Sequence, residues 1–130
     1  MTSRSDMDPI RRLSAAVIAS AFDDLDDAKL RLRRLRATSF PDKVRIGHAI
    51  EAARYLIHDR DWIGGPDLDL WVSVLDVKPS DVRSAYEAKS RGILEAIVRE
   101  LVRIRDRLPP VTRDRITAVE YGARELGVAA

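Results

Sequence analysis

The sequence predicts an all-α fold, a compact multi-helix domain. Three observations carry this. Apolar residues, the β-branched ones included, recur at helical spacing. No segment alternates with the two-residue period of a strand. The breaks fall at Thr38-Ser39-Phe40-Pro41, at Gly64-Gly65-Pro66 and at Leu108-Pro109-Pro110, where turn residues cluster. With 130 residues, 45% of them hydrophobic, the chain is long enough to build one core. Residues 1–41 are expected to supply N-terminal helices and 42–91 a helix-turn-helix core. Residues 92–130 then form a C-terminal packing or partner-docking segment of the same globular unit.

The first helix is expected to open at Asp8-Pro9, an N-cap with proline behind it, and to run through Leu13, Val17, Ile18 and Ala21 to about Phe22. A second, strongly charged helix follows over 24–37, with Leu25, Leu32 and Leu35 on one face. A third starts near Asp42. Its wide stripe of Val44, Ile46, Ala49, Ile50, Ala53, Leu56 and Ile57 marks it as the central helix. Residues 59–66 read as a loop. Pro66 or Asp67 opens a helix carrying Leu68, Trp71, Val72 and Leu75, with Trp62 and Trp71 packed on the central helix. Beyond the motif described next, Ile93, Ile97, Leu101, Ile104 and Leu108 form the stripe of a long amphipathic helix, widened by Leu94 and Val98. Pro109-Pro110 ends it. Thr112 caps a last helix, Arg113 to Leu126, closed by Gly127.

Residues 72–86 carry the most functional information. A helix ending near Leu75, a tight turn through Asp76-Val77-Lys78 and a helix opening at Pro79 have the layout of a helix-turn-helix. Val72 takes the crossing position, Leu75 and Val77 flank the turn, and Val82, Ala85 and Tyr86 share one face. Lys78, Ser80, Asp81, Arg83 and Ser84 are left for the groove side. Asp76 stands where such turns usually have glycine, and aspartate tolerates a left-handed conformation less well. The same spacing also fits an ordinary corner between two packed helices.

Charge is distributed unevenly. Twenty-three Lys and Arg against 21 Asp and Glu give a net charge of +2. Lys29 precedes Arg31, Arg33, Arg34 and Arg36, while Arg99, Arg103, Arg105 and Arg107 form a second basic run. An acidic block, Asp23, Asp24, Asp26 and Asp27, opposes them. Such a dipolar surface offers basic faces to phosphates and acidic faces to a protein, although alternating charges also simply solvate helices.

No catalytic, cofactor or metal constellation competes. There is no cysteine, and His48 and His58 do not share a helical face. His58 reads instead as a helix-end histidine. Asp59-x-Asp61 fails as a calcium loop because Ile63 and Leu70 stand where ligands are needed. Gly64-Gly65-Pro66 lacks the lysine and hydroxyl of a phosphate loop. No apolar run reaches membrane-spanning length, and the N-terminus carries no signal-peptide core. A soluble, cytoplasmic, nucleoid-associated protein with no enzymatic activity, cofactor or membrane contact is expected.

The residues Ala53-Arg-Tyr-Leu-Ile, then Asp61-Trp62, then Leu70-Trp71 through Val82-Arg83 resemble a group of small phage-derived helix-turn-helix regulators. Within that group the nearest are the DNA-binding activators of gene transfer agent clusters in alphaproteobacteria. The likeness covers about the middle third of the chain. It implies a promoter-bound activator working with RNA polymerase, and with an antitermination partner as a second subunit. Pro79, Val82 and Arg83 match the family pattern. Val82 is then structural and Arg83 reaches a base edge or a phosphate, while Lys78, Lys89 and Arg91 hold the backbone of double-stranded promoter DNA. A palindromic operator would accompany a homodimer. The alternative is a helical protein–protein adaptor without its own DNA specificity. Its contact face is Ile93, Ile97, Leu101 and Ile104, or Tyr121 and Leu126 on the last helix.

Overall fold

A computed structural model describes residues 4–128, with side chains from Pro9 onward. Among the described residues there are five α-helices and no strand. They are α1 (Arg4–Arg36), α2 (Lys43–Gly64), α3 (Asp67–Val72), α4 (Pro79–Ile104) and α5 (Pro110–Glu125). A 3-10 turn, Arg105–Arg107, follows α4. Helices from all three sequence segments feed one core.

Residues 9–36 form one helix instead of two. Ala21, Leu25, Ala28 and Leu35 are buried, with Ile18, Phe22 and Leu32 packed beside them. That stripe advances by three or four residues without interruption. Asp23, Asp26 and Asp27 are exposed, and the block at 23–27 contains neither glycine nor proline, so nothing stops the helix there. Helix α1 also begins before the expected cap, which places Pro9 inside it.

Helix α2 is the central helix, as its wide stripe predicts. Asp42 caps it, accepting from the Arg45 backbone N–H at 2.9 Å. Ile46, Ala49, Ile50, Ala52, Ala53 and Leu56 are buried, and small residues there let neighbouring helices approach. The helix continues through residues 59–64, expected to be loop. Asp59 and Ile63 extend its buried face, and the Trp62 indole donates to Asp59 Oδ1 at 3.1 Å. Only Gly65-Pro66 ends it.

The segment expected to form a recognition helix and the long helix after it are one 26-residue element, α4. Pro79 does sit at its start. Val82, Tyr86, Ile93, Leu94, Ile97, Val98, Leu101 and Ile104 are buried on a single stripe. The Phe22 and Tyr86 rings meet edge to face at 5.6 Å, fixing α1 against α4. Within the 3-10 turn, Arg105 reaches Glu120 on α5 at 2.9 Å. Helix α5 starts at Pro110 with Pro109 as its cap, two residues before Thr112. Ile116, Val119 and Ala123 are buried, and a Cβ at Gly122 would lie 3.2 Å from Ile57 Cδ1, so α5 lies close on α2 there.

The C-terminus of α5 closes as the glycine predicts. Gly127 has φ +75°, its N–H donates to Arg124 O, and the Val128 N–H donates to Ala123 O, each at 2.9 Å. This is a Schellman motif, with Val128 buried as its apolar contact.

Two substitutions check the packing by denaturant midpoint. Leu94→Ala removes a fully buried side chain and is expected to cost about 2–5 kcal/mol. Gly127→Ala forces a left-handed alanine and is expected to cost about 1 kcal/mol.

Candidate nucleic-acid interface

The α3–α4 corner departs from the expected motif in its geometry. Helix α3 has six residues and ends at Val72, and residues 73–78 connect it to α4. That link is longer than the three or four residues of a helix-turn-helix turn. No described non-glycine residue has positive φ, so Asp76 does not adopt the left-handed turn conformation. Asp76 is solvent-exposed and lies 3.6 Å from Arg11 of α1, whose Nε donates to Val74 O at 2.9 Å. The first half of α1 therefore braces this connection. Val72, Val82 and Tyr86 are buried as expected, whereas Ala85 and Val77 are exposed.

Arg83 is not free to read a base. Its Nε donates to Ile63 O at 2.9 Å, and its Nη2 donates to Gly65 O at 2.9 Å and to Asp69 Oδ1 at 3.2 Å. Two of these acceptors are carbonyls at the C-terminal end of α2, which have no helical donor of their own. Arg83 thus fastens the end of α2, the start of α3 and the first turns of α4. The signal for this lay in the sequence as a helix ending at Gly64-Gly65, but the loop expected over 59–66 concealed it.

The remaining residues of the expected groove face do not make a phosphate surface. Lys78, Ser80, Asp81 and Ser84 are exposed. Asp67, Asp69, Asp76 and Asp81 are exposed around them, so carboxylates outnumber the one free cation of that group, Lys78. Lys89 lies 5.5 Å over the Phe22 ring. Arg91 is held by Glu87 at 2.8 Å and by Gly127 O at 3.3 Å.

The expected docking stripe is likewise occupied. Ile93, Ile97, Leu101 and Ile104 are buried within the fold and offer nothing to a partner. Tyr121 is exposed, and Leu126 lines a groove of about 660 Å³ between α2 and α5 together with Ile57, Ala118, Val119 and Gly122. His58 stands on the rim of that groove, within α2, while His48 meets Arg31 Nη1 at 3.1 Å. Among the described residues no group of three or more His, Asp or Glu is arranged to hold a metal.

Folding unites the two arginine runs, far apart in sequence. Arg36 at the end of α1 lies 3.8 Å from Glu100 on α4, and Arg103 reaches the same carboxylate at 3.1 Å. Arg107 stacks over Phe40 at 5.9 Å, on the link that leaves α1. Lys29, Arg33 and Arg36 surround Leu32 and Ala37 on the adjoining face of α1. Arg36 and Arg103 thereby meet at Glu100, with Lys29 and Arg33 beside Arg36 on α1 and Arg107 on the 3-10 turn that follows α4. Arg31, Arg99 and Arg105 are drawn off by Asp27, Glu95 and Glu120.

No protein-family model, curated protein or solved structure matches this chain.

Replacing Arg83 with alanine is expected to lower stability by about 1–3 kcal/mol, because two α2 carbonyls lose their donor. Lys78→Ala, on an open side chain, should leave the thermal midpoint almost unchanged. Equal, small effects for the two would show that Arg83 fastens nothing.

Proposed function

We propose that the protein is a DNA-associated transcription regulator of the phage-derived kind its sequence resembles, acting by docking and not by chemistry. It holds duplex DNA through phosphates at the arginine-rich end formed by α1, α4 and the 3-10 turn. The observation that carries this is the meeting of Arg36 and Arg103 at a single carboxylate, Glu100, with Lys29 and Arg33 flanking Arg36 and Arg107 over Phe40. Guanidinium groups match phosphate oxygens in fork geometry. Binding there releases counterions and sets position on the duplex without reading bases.

Part of this composition has a purely structural cause, since helix C-termini attract cations. That attraction fades within the last turn. Arg33 and Arg36 stand in that last turn of α1, whereas Lys29 is about two turns back from its end. Promoter choice, activation and a polymerase or antitermination partner are what the family resemblance adds. The α2–α5 groove, floored by Ile57, Val119 and Leu126, favours the second reading, an adaptor that binds protein alone.

Fluorescence anisotropy of a labelled duplex between about 50 and 200 mM salt separates the two. DNA binding should weaken with a log–log slope near −4.5, as about five neutralised phosphates require. Charge reversal at Arg33→Glu and Arg107→Glu together should lower affinity more than about tenfold and flatten the slope by about 2. Lys78→Ala should change neither. Absence of binding at the lowest salt would leave the adaptor reading.

A further inference from the structure

A buried polar cluster joins α1, α2 and α4 beneath the Phe22–Tyr86 contact. Asp59 of α2 is only 6% exposed and hydrogen bonds to the side chain of Asp24 on α1. Its Oδ1 accepts from Trp62, while Oδ2 has no donor among the described groups. The Tyr86 hydroxyl of α4 is also buried and unpartnered. Two hydrogen-bonded carboxyl groups in a dry site cannot both be ionised, because a proton must lie between them. Arg60 gives its terminal nitrogens to Glu87 Oε2 at 2.6 Å and Ser90 Oγ at 2.8 Å, and its Nε is buried without a partner.

We propose that Asp59 keeps a proton, which it donates to Asp24, and so acts as a pH-sensitive latch between α1 and α2. With the proton in place the pair is a hydrogen bond across the helix interface. Without it two carboxylates oppose each other inside the core, and α1 separates more readily from α2 and α4.

The surroundings set the working range. Burial first, then the Asp24 hydrogen bond and charge, push the Asp59 carboxyl from 3.8 up to about 7, against the lowering effect of Trp62. On α4, burial and the neighbouring carboxylates raise the Tyr86 phenol, so it stays protonated. Glu87 is desolvated, which raises it, but Arg91 and Arg60 outweigh this and hold it lowered and ionised. Lys89, over Phe22, is the remaining charge near this face of α4. The sign follows directly. Between pH 4 and 7 the folded protein keeps a proton that the unfolded chain releases, so stability falls as pH rises, and the dependence ends above about 7.

Two measurements on the intact chain test the latch. Carbon-13 carboxyl shifts should show Asp59 titrating near pH 7, and a midpoint near 4 would overturn the proposal. Amide exchange around Leu25 and Ala28, corrected for intrinsic rates, should give an opening constant that rises up to about tenfold per pH unit from 5.5 to 7 and then levels. Asp59→Asn, which keeps the shape and a donor for Asp24, should flatten that rise. An equally steep rise in the variant would assign the effect to other groups and refute the latch.

Discussion

The fold depends on one continuous apolar stripe along α4, from Val82 to Ile104. Helices α1, α2 and α5 all bury their own stripes against it. Helix α4 is therefore a core element along its whole length. Its first turns do not stand out as an independent rod, because Val82 and Tyr86 are buried on the same stripe as the later residues. This constraint explains why Arg83 turns back to α2 and why the apolar residues of 93–104 have no face left for a partner.

Charge is arranged by the same geometry. The corner between α3 and α4 collects Asp67, Asp69, Asp76 and Asp81, while the opposite ends of α1 and α4 collect arginine. Stable pairing accounts for much of the charged surface, as with Arg99–Glu95 and Arg105–Glu120. Exposed pairs of this sort add little stability. The arginine-rich end differs because two guanidinium groups, Arg36 and Arg103, share one carboxylate, Glu100, while Lys29, Arg33 and Arg107 add positive charge, which acts over distance on a polyanion.

Helix class, the central place of α2, its start near Asp42, Pro79 at the start of α4 and the Gly127 closure were legible in the sequence. Each rests on local chemistry: a periodic stripe, a side-chain acceptor, a missing N–H, a left-handed glycine. The continuity of α1 across Asp23–Asp27 and of α2 through Asp59–Gly64 was not legible as charge runs read like boundaries. Helices stop at glycine and proline, and neither stretch offers one before Gly64. The site residues failed for another reason. Whether Arg83 faces solvent or the carbonyls of Ile63 and Gly65 depends on where α2 ends relative to α4, which is a tertiary fact. The two arginine runs were each visible, but their meeting at Glu100 required the packing of α1 on α4.

The most direct measurement is backbone amide chemical-shift mapping of the protein titrated with duplex DNA at low salt. Perturbations confined to residues 29–40 and 99–107, with 73–85 unchanged, are what the arrangement of charge predicts. Perturbations centred on 73–85, with the arginine-rich end silent, would contradict it.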